Sequence, residues 1–111
     1  MDNKLYNFLG LIQRSGNLTS GDDGVEIDIK KGKCKLLIIS KDASENTKKK
    51  FISMAKNFGV PYLIFGEKEN IGYYIGKSMR SVLSIKDNNF AEAFIKKIKE
   101  NNSGGDSIVK D

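Results

Sequence analysis

Three segments between positions 36 and 65 leave this chain few folds to choose from. They are an apolar tetrapeptide Leu36-Leu37-Ile38-Ile39, a stretch in which Phe51, Met54, Ala55 and Phe58 recur three and four residues apart, and a second apolar run from Tyr62 to Phe65. Short branched-apolar runs read as strands buried on both faces, and the periodic stretch reads as a helix burying one stripe. Asp42-Ala43-Ser44-Glu45 has the spacing of a capping box at the helix start, and Gly59 and Pro61 end it. A strand, a helix and a strand joined this tightly form a crossover with the two strands parallel, which commits the chain to the α/β class.

The flanks add further elements. Leu5, Phe8, Leu9 and Ile12 mark one face of a first helix, with Asp2 or Asn3 as its cap and Gly16 as its stop. A segment from Lys68 to Ile75 has weaker helical character because it contains Gly72 and ends at Gly76. Ser81 to Ile85 reads as a third strand, and Phe90, Phe94, Ile95 and Ile98 as a last helix capped from within Asp87 to Asn89. Residues 101–106 are poor in apolar side chains, so a single domain over 1–101 with a flexible tail over 102–111 is expected. Positions 22–31 read two ways. Val25, Ile27 and Ile29 alternate with Glu26, Asp28 and Lys30 as in a hairpin strand. Equally, Thr19 or Ser20 suits a helix cap, Asp22 and Asp23 its positive end, and Gly32 its exit.

Composition removes many activities. The chain has 111 residues, no His and one Cys, so a His/Cys zinc site, a Ser-His-Asp triad and a Cys-His pair have no ligands or bases. Cys34 has no partner for an intramolecular disulfide, which suits a reducing cytoplasm, and is expected to serve as a small buried residue. No apolar run approaches the roughly 18–20 residues of a membrane-spanning helix, and the first ten residues lack the pattern of a secretory signal. The stretch Gly72 to Ser78 has one residue too few between its glycines for a phosphate-binding loop. Asp22, Asp23, Glu26 and Asp28 lack the alternating ligand pattern of a calcium loop. No cofactor is expected, and the chain reads as non-enzymatic.

The charge balance points to a polyanion. Nineteen Lys+Arg against 14 Asp+Glu give +5, with a pI of about 9.3. Lys30, Lys31, Lys33, Lys35 and Lys41 bracket the first strand, whereas Lys48, Lys49 and Lys50 follow one another on a helix and point in different directions. Tyr62, Phe65, Tyr73 and Tyr74 are candidates for base stacking, although aromatics beside strands more often fill a core.

From Leu5 to about Ile98 the chain resembles the kink-turn RNA-binding ribosomal protein family, of the large-subunit seven-Ae and thirty-e type, most closely its bacterial YlxQ-like branch. The resemblance lies in LYNFLGLIQRSGNLTSG, KKGKCKLLIISKDASENTKKKF, GVPYLIFG and IGYYIGKSMRSVLSI, with DASENTKKKF and the G-x-x-x-G before the last strand as the most specific pieces. It implies a three-layer α/β/α sandwich around a small four-stranded mixed sheet, with positions 22–31 as the second helix. It further implies a non-enzymatic protein of the translation apparatus that binds structured RNA, either rRNA or another kink-turn RNA, with the ribosome as an assembly it joins. The chain is read as a cytoplasmic monomer.

The resemblance also supplies the expected RNA-binding residues. The helix start enters the widened groove of the kinked RNA through Ser20, Gly21, Asp22, Asp23, Gly24 and Ile27; Lys30 and Lys41, from the lysine group that brackets the first strand, are expected to add positioning contacts. The loop formed by Gly76, Lys77, Ser78, Met79, Arg80, Ser81 and Val82 grips a flipped-out nucleotide. Helix-start N–H groups attract phosphate, and glycine permits close approach. The family commonly carries Gly-x-Asn-Glu with a Lys three residues after the Glu; this chain has Asp23, Gly24 and Ile27 at those positions. The alternative is therefore a protein-interaction or regulatory module that kept the fold and lost specific RNA readout, which an exposed Ile27 would favour.

Overall fold

The computed structural model describes residues 3–101 and 108–109 of the chain. The elements in order are α1 (Asn3–Arg14), β1 (Leu18–Ser20), α2 (Asp22–Lys30), β2 (Leu36–Ile39), α3 (Glu45–Phe58), β3 (Tyr62–Ile64), α4 (Lys68–Ile75), β4 (Val82–Ile85) and α5 (Asn88–Asn101). The sheet runs β1-β4-β2-β3, with β2 and β3 parallel and the β4 pairings antiparallel. Most of the expected 102–111 tail lies outside the described residues. Ile108–Val109 forms β5, antiparallel to β3.

Alternation along the strands builds the sandwich, because successive side chains leave opposite faces of a sheet. Leu36 and Ile38 join Leu63, Leu83 and Ile85 against α1, α4 and α5. Leu37 and Ile39 join Val82 and Tyr62 against α2 and α3. All four residues of β2 are fully buried, as the continuous apolar run requires.

Helix wins over hairpin at 22–31. Val25 and Ile29, four apart, are buried together, whereas Ile27 between them is 51% exposed. An i, i+2, i+4 pattern satisfies a strand and also places its outer pair on one helical face; the sheet supplies the partner for that face.

Two expected caps shift. Ser44, not Asp42, accepts the Thr47 N–H (3.1 Å) and starts α3. Asp42 instead accepts the Lys68 N–H at the start of α4 (3.0 Å). Burial alone would raise its carboxyl, but this bond and the Lys68 charge leave it below the ordinary carboxylate range. Neither Thr19 nor Ser20 caps α2: the N-cap is Gly21, with no side-chain bond to the helix. At α5, Asp87 accepts the Phe90 N–H as expected (2.9 Å).

Cys34 is buried, and that burial pushes its thiol from the ordinary 9.0 up to about 11. The neutral thiol is therefore favoured by folding, and its contribution is complete below pH 9 and lost as pH rises through about 11. We expect a thiol reagent near neutral pH to label Cys34 only at the rate of unfolding, and Cys34→Ala to remove part of the alkaline loss of stability. Prompt labelling of the native protein would contradict this placement.

Candidate nucleic-acid interface

Strand pairing brings the two expected segments together. Ser20 lies opposite Leu83 in the β1–β4 ladder, and the Gly21 N–H donates to the Val82 carbonyl (3.1 Å). The tip of α2 and the loop before β4 therefore leave the sheet side by side. Ser20, Gly21, Asp22, Asp23, Gly24, Met79, Arg80 and Ser81 line one open cleft of about 350 Å3.

Gly21 makes the tip what it is. Its φ of 95° with ψ of 154° is a conformation that only glycine adopts without strain. Since no side chain caps the helix, the first-turn N–H groups of Asp22, Asp23 and Gly24 point outward with no helical acceptor. Such a terminus favours negative charge. Asp22 and Asp23 partly supply it from their own exposed carboxylates, which opposes a phosphate placed at the same point.

Arg80 ties tip to loop. Its Nε donates to Ser20 Oγ (3.1 Å), and its Nη1 donates to Ser78 Oγ (2.8 Å) and the Met79 carbonyl (3.1 Å). Its Nη2 donors have no protein partner among the described residues, so a guanidinium already held in place presents its outer edge to the cleft. The Arg80 N–H in turn donates to the Lys68 carbonyl (3.1 Å).

The loop itself is seated by Gly72, whose role was not legible from sequence beyond the cost of a glycine inside a helix. A Cβ there would overlap the Ser78 carbonyl oxygen, and the Lys77 N–H donates to the Gly72 carbonyl (2.8 Å). Gly76, at φ 76°, ends α4 in the left-handed conformation. α4 is fixed from beneath by α1: Tyr6 stacks on Tyr74 with ring centroids 5.1 Å apart. The Tyr6 hydroxyl also accepts the Glu67 N–H (3.1 Å).

The remaining expected residues divide. Lys77, Ser78 and Met79 are exposed on the loop. Val82 is fully buried and contributes only its carbonyl. Ile27 lies one turn along α2 from Asp23, on the same face. Lys41 stands at the same end of the sheet, since the preceding Ser40 N–H donates to the Ser81 carbonyl (2.8 Å). Lys30 does not join them. It is at the far end of α2, about 12 Å from Asp22 along the axis, and its ammonium bonds Glu26 (2.8 Å). Lys50 bonds the same carboxylate (3.0 Å), and these two bonds hold the Glu26 carboxyl below its ordinary range. Among the four acids of 22–28, Asp22 and Asp23 are exposed at the tip, Glu26 faces the lysines, and Asp28 is buried. Of the aromatics weighed for stacking, Tyr62 and Phe65 are core and Tyr73 is exposed.

Comparison with known proteins follows the same outline. The model of the family described as ribosomal protein L7Ae/L30e/S12e/Gadd45 matches residues 3–95. The chain is 42% identical over 98 residues to the RNA-binding protein YlxQ of Enterococcus faecium, covering 87% of this chain and 89% of that protein. It is 34% identical over 90 residues to the RNA-binding protein YlxQ of Bacillus subtilis (strain 168), covering 81% and 90%. Among solved structures, a protein of unknown function from Bacillus halodurans superposes with a TM-score of 0.82 at 31% identity, covering 86% of this chain and 97% of the other. A Giardia lamblia 15.5 kD RNA-binding protein shares the fold, with a TM-score of 0.71 at 22% identity over 87% of this chain and 86% of the other.

Proposed function

The chain belongs to the ribosomal protein L7Ae/L30e/S12e/Gadd45 family, and on that premise we propose that it is a non-enzymatic RNA-binding protein of the translation apparatus. It recognises kink-turn or similarly bent RNA through the α2 tip and the 76–82 loop. The observation that carries this reading is the shared cleft: outward N–H groups at the Gly21 tip beside an Arg80 guanidinium whose free edge faces the same space. The two relatives named as RNA-binding proteins support it. The tip supplies donors to an opened groove, and Arg80 supplies a fixed cation to the backbone of the bulge. Asp22 and Asp23 reduce non-specific attraction, so fit to a bent backbone contributes a larger share of the affinity.

The test is titration of a kink-turn RNA and a straight duplex of equal length at two salt concentrations. The kink-turn RNA is expected to bind more tightly at both, with affinity falling steeply with salt; equal affinities would contradict recognition of shape. Arg80→Ala is expected to weaken kink-turn binding about tenfold and to make the salt dependence shallower by roughly one phosphate contact.

A second reading, a protein-interaction module that lost RNA readout, draws on Ile27 and Met79, which are 51% and 60% exposed. Large apolar side chains left in water beside a functional cleft suit a protein partner. Under that reading neither RNA binds above background.

A further inference from the structure

The densest positive charge in the chain is not at the α2 tip. Lys30, Lys31, Lys33 and Lys35 fall within six residues, where α2 turns into β2. The same end of the sheet receives the start of β3, because β2 and β3 are parallel. The tip and the 76–82 loop lie at the other end, where Ile39 pairs with Val82. The lysines bracketing β2 thus separate: Lys41 belongs to the proposed kink-turn face, and the other four do not.

Three of these four lysines, Lys30, Lys31 and Lys35, border a second and larger cleft, of about 640 Å3, between the end of α3 and the start of α5. That volume lies within the range of pockets that hold small ligands. Lys30, Lys31 and Lys35 line one side, and Glu92 is the one acid on its wall. Phe58 lines it too and is 50% exposed. It is the last residue of α3, where Gly59 turns the chain with φ 68°. Val60, Pro61 and Ile95 continue the apolar wall. Among the described residues Lys31 and Lys33 have no ion pair, while Lys35 bonds the Gly32 carbonyl (3.2 Å). An exposed aromatic ring that shares a cleft with several cations offers a stacking face for an unpaired base and charge for its phosphates.

We infer that this cleft binds a single-stranded RNA segment flanking the bent RNA held at the tip. The inference rests on the RNA reading above. It commits to RNA because lysines outnumber acids on the wall and because a strand leaving the tip travels little more than the length of α2, about 12 Å, to reach them. Phe58 takes a base, and Lys31 and Lys35 take the adjoining phosphates. The site then favours RNAs whose kinked element continues into an unpaired strand.

The experiment compares a kink-turn RNA with and without a 3′ or 5′ extension of about eight uridines. One extended RNA is expected to bind about tenfold more tightly than the bare one. Phe58→Ala, and separately Lys31→Ala/Lys35→Ala, should abolish that advantage and leave the bare RNA's affinity unchanged. Arg80→Ala should weaken both RNAs and leave the advantage intact. No advantage from either extension would overturn the inference while leaving the kink-turn reading standing. An advantage that survives Phe58→Ala would overturn it too, as simple attraction to lysines. Displacement of the extension by a polyglutamate peptide but not by free oligouridine would assign the cleft to an acidic protein and overturn it as well. If the bare RNA fails to bind but oligouridine binds in a Phe58-dependent way, the kink-turn reading falls and the cleft remains.

Discussion

Gly72→Ala is expected to lower affinity for kink-turn RNA by about tenfold to a hundredfold, equivalent to about 1.4–2.8 kcal/mol, through a residue that touches no RNA. On propensity alone the substitution should stabilise α4 by about 1 kcal/mol. Packing reverses the sign, because the new methyl meets the Ser78 backbone rather than the flexible end of a side chain. Overpacking of this kind costs about 1–3 kcal/mol. Either α4 or the loop has to move, and both movements strain the bonds from Lys77 N–H to Gly72 and from Arg80 N–H to Lys68. The Arg80 guanidinium then loses its setting between Ser20 and Ser78. Denaturant unfolding with hydrogen exchange at the Arg80 amide checks it: reduced stability with faster exchange there is expected. Unchanged exchange and affinity would show that the loop does not depend on Gly72.

Asp23→Asn with Ile27→Lys is expected to act in the opposite direction, raising kink-turn affinity about a hundredfold through one regained base-edge contact and one regained cation. The structure admits both changes. Ile27 is half exposed, so a lysine there buries no charge. Asp23 is exposed, and its amide variant gives up only the dipole interaction, about 0.3–1 kcal/mol of stability. Gly24→Glu is a poorer choice, since its Cβ would come within 2.8 Å of Thr19 Cγ2 and require that side chain to turn. A straight duplex should gain far less than the kinked RNA. If the double variant binds both RNAs no better than the wild type, the tip does not face RNA, and the protein-interaction reading gains.

Much of the fold was legible because the central elements are strongly patterned. The buried tetrapeptide of β2 and the periodic stripe of α3 each admit one interpretation, and the short crossover sets the parallel pairing; the stripe is buried at Phe51 and Ala55 but not at its end, where Phe58 is 50% exposed. β1 was not legible from its residues, since three positions with one buried side chain carry no periodic signal; only pairing with β4 makes it a strand. At 22–30 the same apolar spacing fits helix and strand, and the choice depends on what lies beneath. The capping assignments at Asp42 and Ser20 moved for a related reason: a polar side chain near a helix start can bond a distant element instead, as Asp42 bonds Lys68 and Ser20 accepts from Arg80.

The site was legible in its two segments and not in its extent. Sequence proximity placed Lys30 with the tip, but nine helical residues carry it to the other end of α2. Conversely, residues 60 apart, Ser20 and Arg80, meet through the β1–β4 ladder, which no local pattern reveals.

Amide chemical-shift mapping of the labelled protein during titration with a kink-turn RNA addresses the shared surface most directly. The signals of Gly21 to Gly24 and of Lys77 to Ser81 are expected to move together at the same RNA concentration, with the Arg80 side chain among them. Movement confined to one of these segments, or to neither while the RNA binds elsewhere, would contradict a single interface built from both.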